Sequence, residues 1–202
     1  KVFGGGGSTP DYIIISGIER ALDPNGDLDL SDAADVLNLS VGGPGDPDDP
    51  MSQAVDNAVR AGVVVVVAAG NSGPTHGSIS SPGTAREAIT VAASDKSDQL
   101  ALFSSRGPVV WDGGALMKPD LTAPGVLICA AEWNDWFAER RCLDDKHIAI
   151  SGTSMATPHV AGAAALLKQK NPNLTPQEIK RLLKETADQI GNNALFFGAG
   201  RL

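Results

Sequence analysis

Val63-Val64-Val65-Val66-Val67-Ala68-Ala69-Gly70 is an unbroken run of β-branched and small apolar residues stopped by a glycine. It has no polar alternation and is far too short to span a bilayer, so it predicts a strand covered on both faces, as in a parallel sheet. Upstream, Pro50 to Ala61 predicts a helix stopped by Gly62. Before it, Val36 to Val41 predicts a strand ending at Gly42-Gly43. Downstream, Ala88 to Ala93 and Pro119 to Ala123 predict two further short strands.

The remaining elements are helical. Thr9-Pro10-Asp11 offers a cap, a proline at the first helical position and an acid in the first turn, followed by the stripe Tyr12, Ile15, Ile18, Leu22. Ser154 to about Lys170 predicts a helix rich in Ala and Gly. Thr175-Pro176-Gln177-Glu178 is a capping box that opens an amphipathic helix through Ile190. The alternation of strand and helix predicts an α/β fold, a mostly parallel sheet flanked by helices, built with right-handed crossovers. No repeat or linker divides the chain, and residues 1–202 read as one domain. The opening Lys1-Val2-Phe3 reads as the tail of a strand cut mid-element, before the glycine run Gly4 to Gly7.

Composition narrows the function. Hydrophobic residues make up 42% and charged residues 20% of the chain, as in ordinary globular proteins. A net charge of −8 argues against a nucleic-acid partner, which requires clustered Lys and Arg. No run is long enough for a membrane span, and neither partner class is expected. The two cysteines, Cys129 and Cys142, flank a Trp-rich stretch and are compatible with a loop disulfide or with two thiols.

In an open α/β sheet, ligands bind beyond the carboxyl ends of the strands. Two stretches fall there. One is Ala68-Ala69-Gly70-Asn71-Ser72-Gly73-Pro74, directly after the valine run; the other is Ser151-Gly152-Thr153-Ser154-Met155-Ala156-Thr157-Pro158-His159. A serine at a helix N-terminus lies near unpaired N–H groups and the positive end of the helix dipole. A simple N-cap would need only the serine and not the residues around Ser154. That longer stretch resembles the nucleophile motif of the subtilase family, the subtilisin-like serine proteases.

The resemblance implies that Ser154 attacks the scissile carbonyl and forms an acyl-enzyme, with Asn71 as a donor to the oxyanion. It implies that Ser40, Val41 and Gly42, within Asn38-Leu39-Ser40-Val41-Gly42-Gly43, form one wall of the primary specificity pocket, and Ala68, Ala69 and Gly70 the other. A polypeptide substrate and secretion are also implied. The family's Asp-Thr/Ser-Gly and His-Gly-Thr-His motifs are absent from these residues. His76, His147 and His159 stand in no base position of the family. The chain is therefore expected to need a further N-terminal part, in the same or a second polypeptide, and to be inactive alone. Without that part, the strand beginning near Asp35 is expected to expose a hydrophobic edge. The alternatives are a non-catalytic peptide-binding module derived from the family and an unrelated α/β-hydrolase, the latter opposed by the absence of Gly-x-Ser-x-Gly.

One acidic loop stands apart. Asp23, Asn25, Asp27, Asp29 and Ser31 alternate along the chain, the layout of a calcium loop of the EF-hand type, although Ala34 stands where such a loop ends in Glu. A solvated acidic turn explains it equally well. Calcium is the one cofactor the sequence offers, with Asp23, Asn25, Asp27 and Asp29 as its ligands.

Overall fold

The computed structural model describes residues 2–3, 7–132 and 138–202. Lys1, most of the glycine run and the Trp-rich residues 133–137 lie outside the described residues. In chain order the elements are α1 (Asp11–Leu22), β1 (Val36–Leu39), α2 (Pro50–Arg60), β2 (Val64–Ala68), β3 (Ile89–Ser94), β4 (Val109–Trp111), β5 (Gly114–Leu116), β6 (Leu121–Pro124), β7 (Ile128–Ala131), β8 (His147–Ile150), α3 (Thr153–Lys170), α4 (Pro176–Glu185) and α5 (Ala194–Phe197).

The central sheet is parallel throughout, in the order β1-β2-β3-β6. Why β2 is a run of valines is now visible. Val64 and Val66 face one core with Val91, Leu121 and the Ala156, Val160 and Ala164 stripe of α3. Val63, Val65 and Val67 face a second core with Ile14 and Ile18 of α1 and Val55 and Val59 of α2. Alternate side chains enter opposite cores, so each position must be apolar. This is the α/β, helix-flanked parallel sheet expected from the sequence.

Local details differ. The N-cap of α1 is Pro10 without a side-chain cap, not Thr9. β1 stops at Leu39, before Val41. α4 ends at Glu185 and not Ile190, because Asp188 pairs its backbone with Arg201, whose guanidinium also binds Asp98 and Asp188. That long-range pairing draws the chain away from the helix axis. Two hairpins, β4–β5 and β7–β8, have no counterpart in the sequence reading. Cys129 and Cys142 are disulfide-bonded, which decides between bond and thiols.

β1 is an edge strand, and Leu37, Leu39 and Val41 line an apolar groove of about 340 Å³ with Val2, Phe3, Ile14 and Ile18. Among the described residues, no helix is long and apolar enough to cross a membrane.

Candidate active site

The C-terminal ends of β1, β2 and β6 meet at the start of α3. After β6, the Gly125 carbonyl accepts the Gly152 N–H at 2.8 Å. After β2, the Gly70 N–H donates to Thr153 Oγ1 at 3.2 Å. Beyond β1, Ser40 Oγ donates to the Ser154 carbonyl at 2.9 Å, and Ser154 Oγ donates weakly to the Ser40 carbonyl at 3.4 Å. Ser154 is therefore the second residue of α3, half-buried, and surrounded by first-turn N–H groups that have no partner inside the helix.

Asn71 is oriented by its neighbour in space. Its Oδ1 accepts the Thr153 N–H at 2.9 Å and the Thr153 hydroxyl at 3.1 Å. With the carbonyl end engaged twice, the amide NH2 is left as a donor beside the helix N-terminus. An amide donor, first-turn N–H groups and a positive helix end are the elements that can stabilise an oxyanion in acyl transfer, and the serine hydroxyl beside them is the group that can attack.

The two stretches expected to form pocket walls also come together, through Ser80. Ala68, Ala69 and Gly70 are buried at the end of β2, while Ser40 and Val41 are half-buried and Gly42 is exposed beyond β1. Ser80 lies between them: its Cβ is 3.2 Å from where a Cβ on Gly42 would stand, and its hydroxyl overlaps the position of a Cβ on Gly70. Gly70 also has φ +105°, so a side chain there is excluded both by backbone and by space. The sequence reading missed Ser80 and Thr153. Thr153 lay inside the quoted motif and only its role escaped. Ser80 carries no motif, and it reaches the pocket through the backbone bonds Ser80 N–H to Ala69 O and Gly43 to Ser81.

No histidine serves Ser154 among the described residues, its hydroxyl bonding to Ser40 instead. His159 Nδ1 is 2.9 Å from the Met155 carbonyl within α3. His147 Nδ1 is 2.6 Å from Asp144 Oδ1, and His76 stacks at a tilt on Phe196.

The acidic loop is knit to itself. Asp23 accepts the N–H groups of Gly26, Asp27 and Leu28, which hold its carboxyl below the usual range, led by Leu28. Asn25 accepts from Asp27, Asp27 from Asp29, and Asp29 from Ser31. Oxygen donors of this kind suit a hard cation. As folded, no group of three or more His, Cys, Asp or Glu side chains among the described residues is gathered to hold a metal ion.

Residues 1–200 match the subtilase family. Over 97% of its length the chain is 41% identical to the serine protease AprX of Bacillus subtilis, covering 47% of that protein. It is 40% identical to subtilisin Savinase of Lederbergia lenta over 99% of its length, covering 63% of that relative. The crystal structure of a cold adapted subtilisin-like serine proteinase superposes with a TM-score of 0.73 at 33% identity, covering all of this chain and 62% of the other. The chain thus spans from about half to just under two thirds of these relatives.

Proposed function

Since this chain belongs to the subtilase family, we propose that it carries the nucleophile half of a serine endopeptidase site. Ser154 Oγ attacks the scissile carbonyl of a polypeptide, and the bond to the leaving amine breaks to give an acyl-enzyme that water then hydrolyses. The oxyanion formed on attack is met by the Asn71 amide and the Ser154 N–H. The acyl side of the substrate lies between Ser40–Gly42 and Ala68–Gly70, over Ser80. The observation carrying this reading is the double hydrogen bond of Thr153 to Asn71 Oδ1, which leaves the amide donor facing away from its own anchor.

A serine hydroxyl is a weak nucleophile at neutral pH without a base. The base and the acid that orients it come, in this proposal, from residues outside these 202. The edge of β1, unpaired among the described residues, and the exposed Pro158, His159, Ala165 and Leu166 face of α3 are the surfaces offered to such a segment. The disulfide favours an oxidising compartment, and secretion is part of the proposal.

The natural full-length protein should be labelled at Ser154 by a fluorophosphonate and hydrolyse casein, with both lost in Ser154→Ala. Residues 1–202 alone should do neither. Peptide binding without labelling or turnover in the full-length protein would replace the protease with a binding module. A structural calcium ion would be held by Asp23, Asn25, Asp27 and Asp29 and would take no part in the chemistry. A rise in Tm on calcium addition that Asp27→Ala abolishes would locate the ion there, and an unchanged Tm would remove it from the proposal.

A further inference from the structure

The hairpin β4–β5 contributes nothing to the catalytic geometry, yet it rests against the back of the primary pocket. Val109 packs with Ala69 and Ile79 in a small buried cluster that Trp111 and Leu116 cover. Ala69 belongs to one pocket wall, and Ile79 immediately precedes Ser80. The indole also reaches the loop beyond the other wall. Trp111 Nε1 donates to Asp48 Oδ2 at 2.7 Å, in the loop that follows Gly42-Gly43.

Arg86 completes the contact. Its guanidinium lies 5.1 Å from the Trp111 ring centre and donates to the Pro47 carbonyl and to Asp48 Oδ1, both at 2.5 Å. It also lies 4.0 Å from Asp56 Oδ2, and Asp56 is fully buried in α2, accepting the Glu87 N–H at 2.8 Å. The Arg86 hydrogen bond, with a smaller contribution from Trp111, holds the Asp48 carboxyl below its ordinary range, so Asp48 stays ionised. Between these points, Gly43 and Ser81 exchange two backbone hydrogen bonds at 2.9 and 3.0 Å. One indole thus touches the buttress of the Ala69 wall, the support of the Ser80 floor and the loop behind Gly42.

We propose that Trp111 is a specificity-determining positioning residue: through Asp48 and Arg86 it sets the spacing of the Ser40–Gly42 and Ala68–Gly70 walls, and so restricts the residue before the scissile bond to small uncharged side chains. This rests on the proteolytic reading above. One wall presents Ser40, Val41 and Gly42, the other Ala68, Ala69 and Gly70, and the floor a serine hydroxyl; none of these residues is charged, so their separation decides what enters. A pocket of fixed width discriminates by about 10–200-fold per methylene. Trp111 never touches substrate, and its influence passes only through the walls.

The test uses the natural full-length protein and four peptide anilides that differ only before the scissile bond, in Ala, Leu, Phe or Lys. Ratios of kcat/KM are compared for the unaltered protein, Trp111→Ala and Trp111→Phe, with Tm measured alongside. Trp111→Ala is expected to shrink the preference for Ala over Phe about tenfold, mainly through KM. Trp111→Phe, which keeps a ring under Arg86 and loses the N–H, should recover part of it. A purely structural role would lower the amount of active protein and scale all four substrates alike. Unchanged ratios in Trp111→Ala would overturn the proposal. If the unaltered protein hydrolyses nothing, the proteolytic reading fails instead. The same ratios are then read from the affinities of reduced-bond peptides of the same series, where a constant ratio again overturns it.

Discussion

Thr153 donates both its backbone N–H and its hydroxyl to the side-chain carbonyl of Asn71, so one residue of the first turn of α3 sets which end of the amide is left as a donor. Loss of an oxyanion donor costs about 10²–10³ in turnover, a figure measured on a member of this family. Asn71→Ala and Asn71→Asp should both fall by that order in kcat with KM little changed, since Asp keeps the accepting oxygen and loses the donor. Thr153→Val keeps the N–H and removes the hydroxyl, which also serves the Gly70 N–H. Its kcat should drop less, by about tenfold, one hydrogen bond's worth of orientation. Equal kcat in Asn71→Asp and the unaltered protein would show that the amide does not act as a donor.

The buried cluster around Asp120 governs stability in acid. Lys118 Nζ lies 2.7 Å from Asp120 Oδ2, and Lys180 and Lys184 approach Oδ1 at 3.1 and 3.6 Å. Burial alone would raise the Asp120 carboxyl, but the charges of Lys118 and Lys180 outweigh it and hold it at about 2. The native state thus gives up this proton more readily than the unfolded chain. The stability so gained is complete above the ordinary carboxylate value of 3.8 and is lost as pH falls towards about 2. Lys118 shifts with the opposite consequence. Burial brings it down to about 8 despite Asp120, so between about 8 and 10.5 the unfolded chain binds the extra proton and stability from this group rises with pH. Asp120→Asn leaves a buried ammonium without its counter-charge and should cost about 3–5 kcal/mol. Lys118→Met should cost less, because Lys180 still pairs with Asp120. Chemical denaturation at pH 7 and Tm between pH 2 and 5 check both; an acid profile that Asp120→Asn leaves unaltered would contradict the assignment.

What the sequence made legible follows the range of the interactions. The valine run announced a strand covered on both faces because each residue answers to the core next to it, whichever face it takes. Ser154 and Asn71 stood out because each lies in a long stretch that resembles the family's motifs, and the structure brings the two stretches together at the end of β2 and the start of α3. Ser80 and Trp111 did not stand out, since neither has a periodic or motif context. Their roles arise from contacts with Gly42 and Asp48, more than 30 positions away. α4 failed at its end for the same reason. Its pattern continues past Glu185, but Asp188 is claimed by Arg201.

The disulfide is a second test of stability. Cys129 and Cys142 are 13 residues apart and tie β7 to the segment before β8. Closing a loop of that size restricts the unfolded chain, which is worth about 2–3 kcal/mol. The paired substitution Cys129→Ser/Cys142→Ser should therefore lower the denaturation free energy by that amount, and reductant should reproduce it in the unaltered protein. A midpoint indifferent to both would show that the bond does not act by restricting the unfolded chain.

Gly70 concentrates the demands on the pocket in one residue. Its φ of +105° disfavours any side chain, and an added Cβ would meet the Ser80 and Ser105 hydroxyls. Its N–H and carbonyl are also committed, to Thr153 Oγ1 and to the Ser105 N–H at 3.0 Å. Gly70→Ala must therefore move either Ser80, narrowing the pocket, or the strand end that carries Asn71. Backbone strain of this kind costs about 1–3 kcal/mol, which a domain of this size can absorb without unfolding. The expected outcome is a folded protein with a modestly lower Tm and a rise in KM for every substrate, steepest for the larger side chains. Adding Ser80→Gly removes the closer of the two contacts and leaves the Ser105 contact and the backbone strain, so the double variant should recover part of KM while its Tm stays low. A KM that the second substitution leaves unchanged would show that Ser80 does not form the floor.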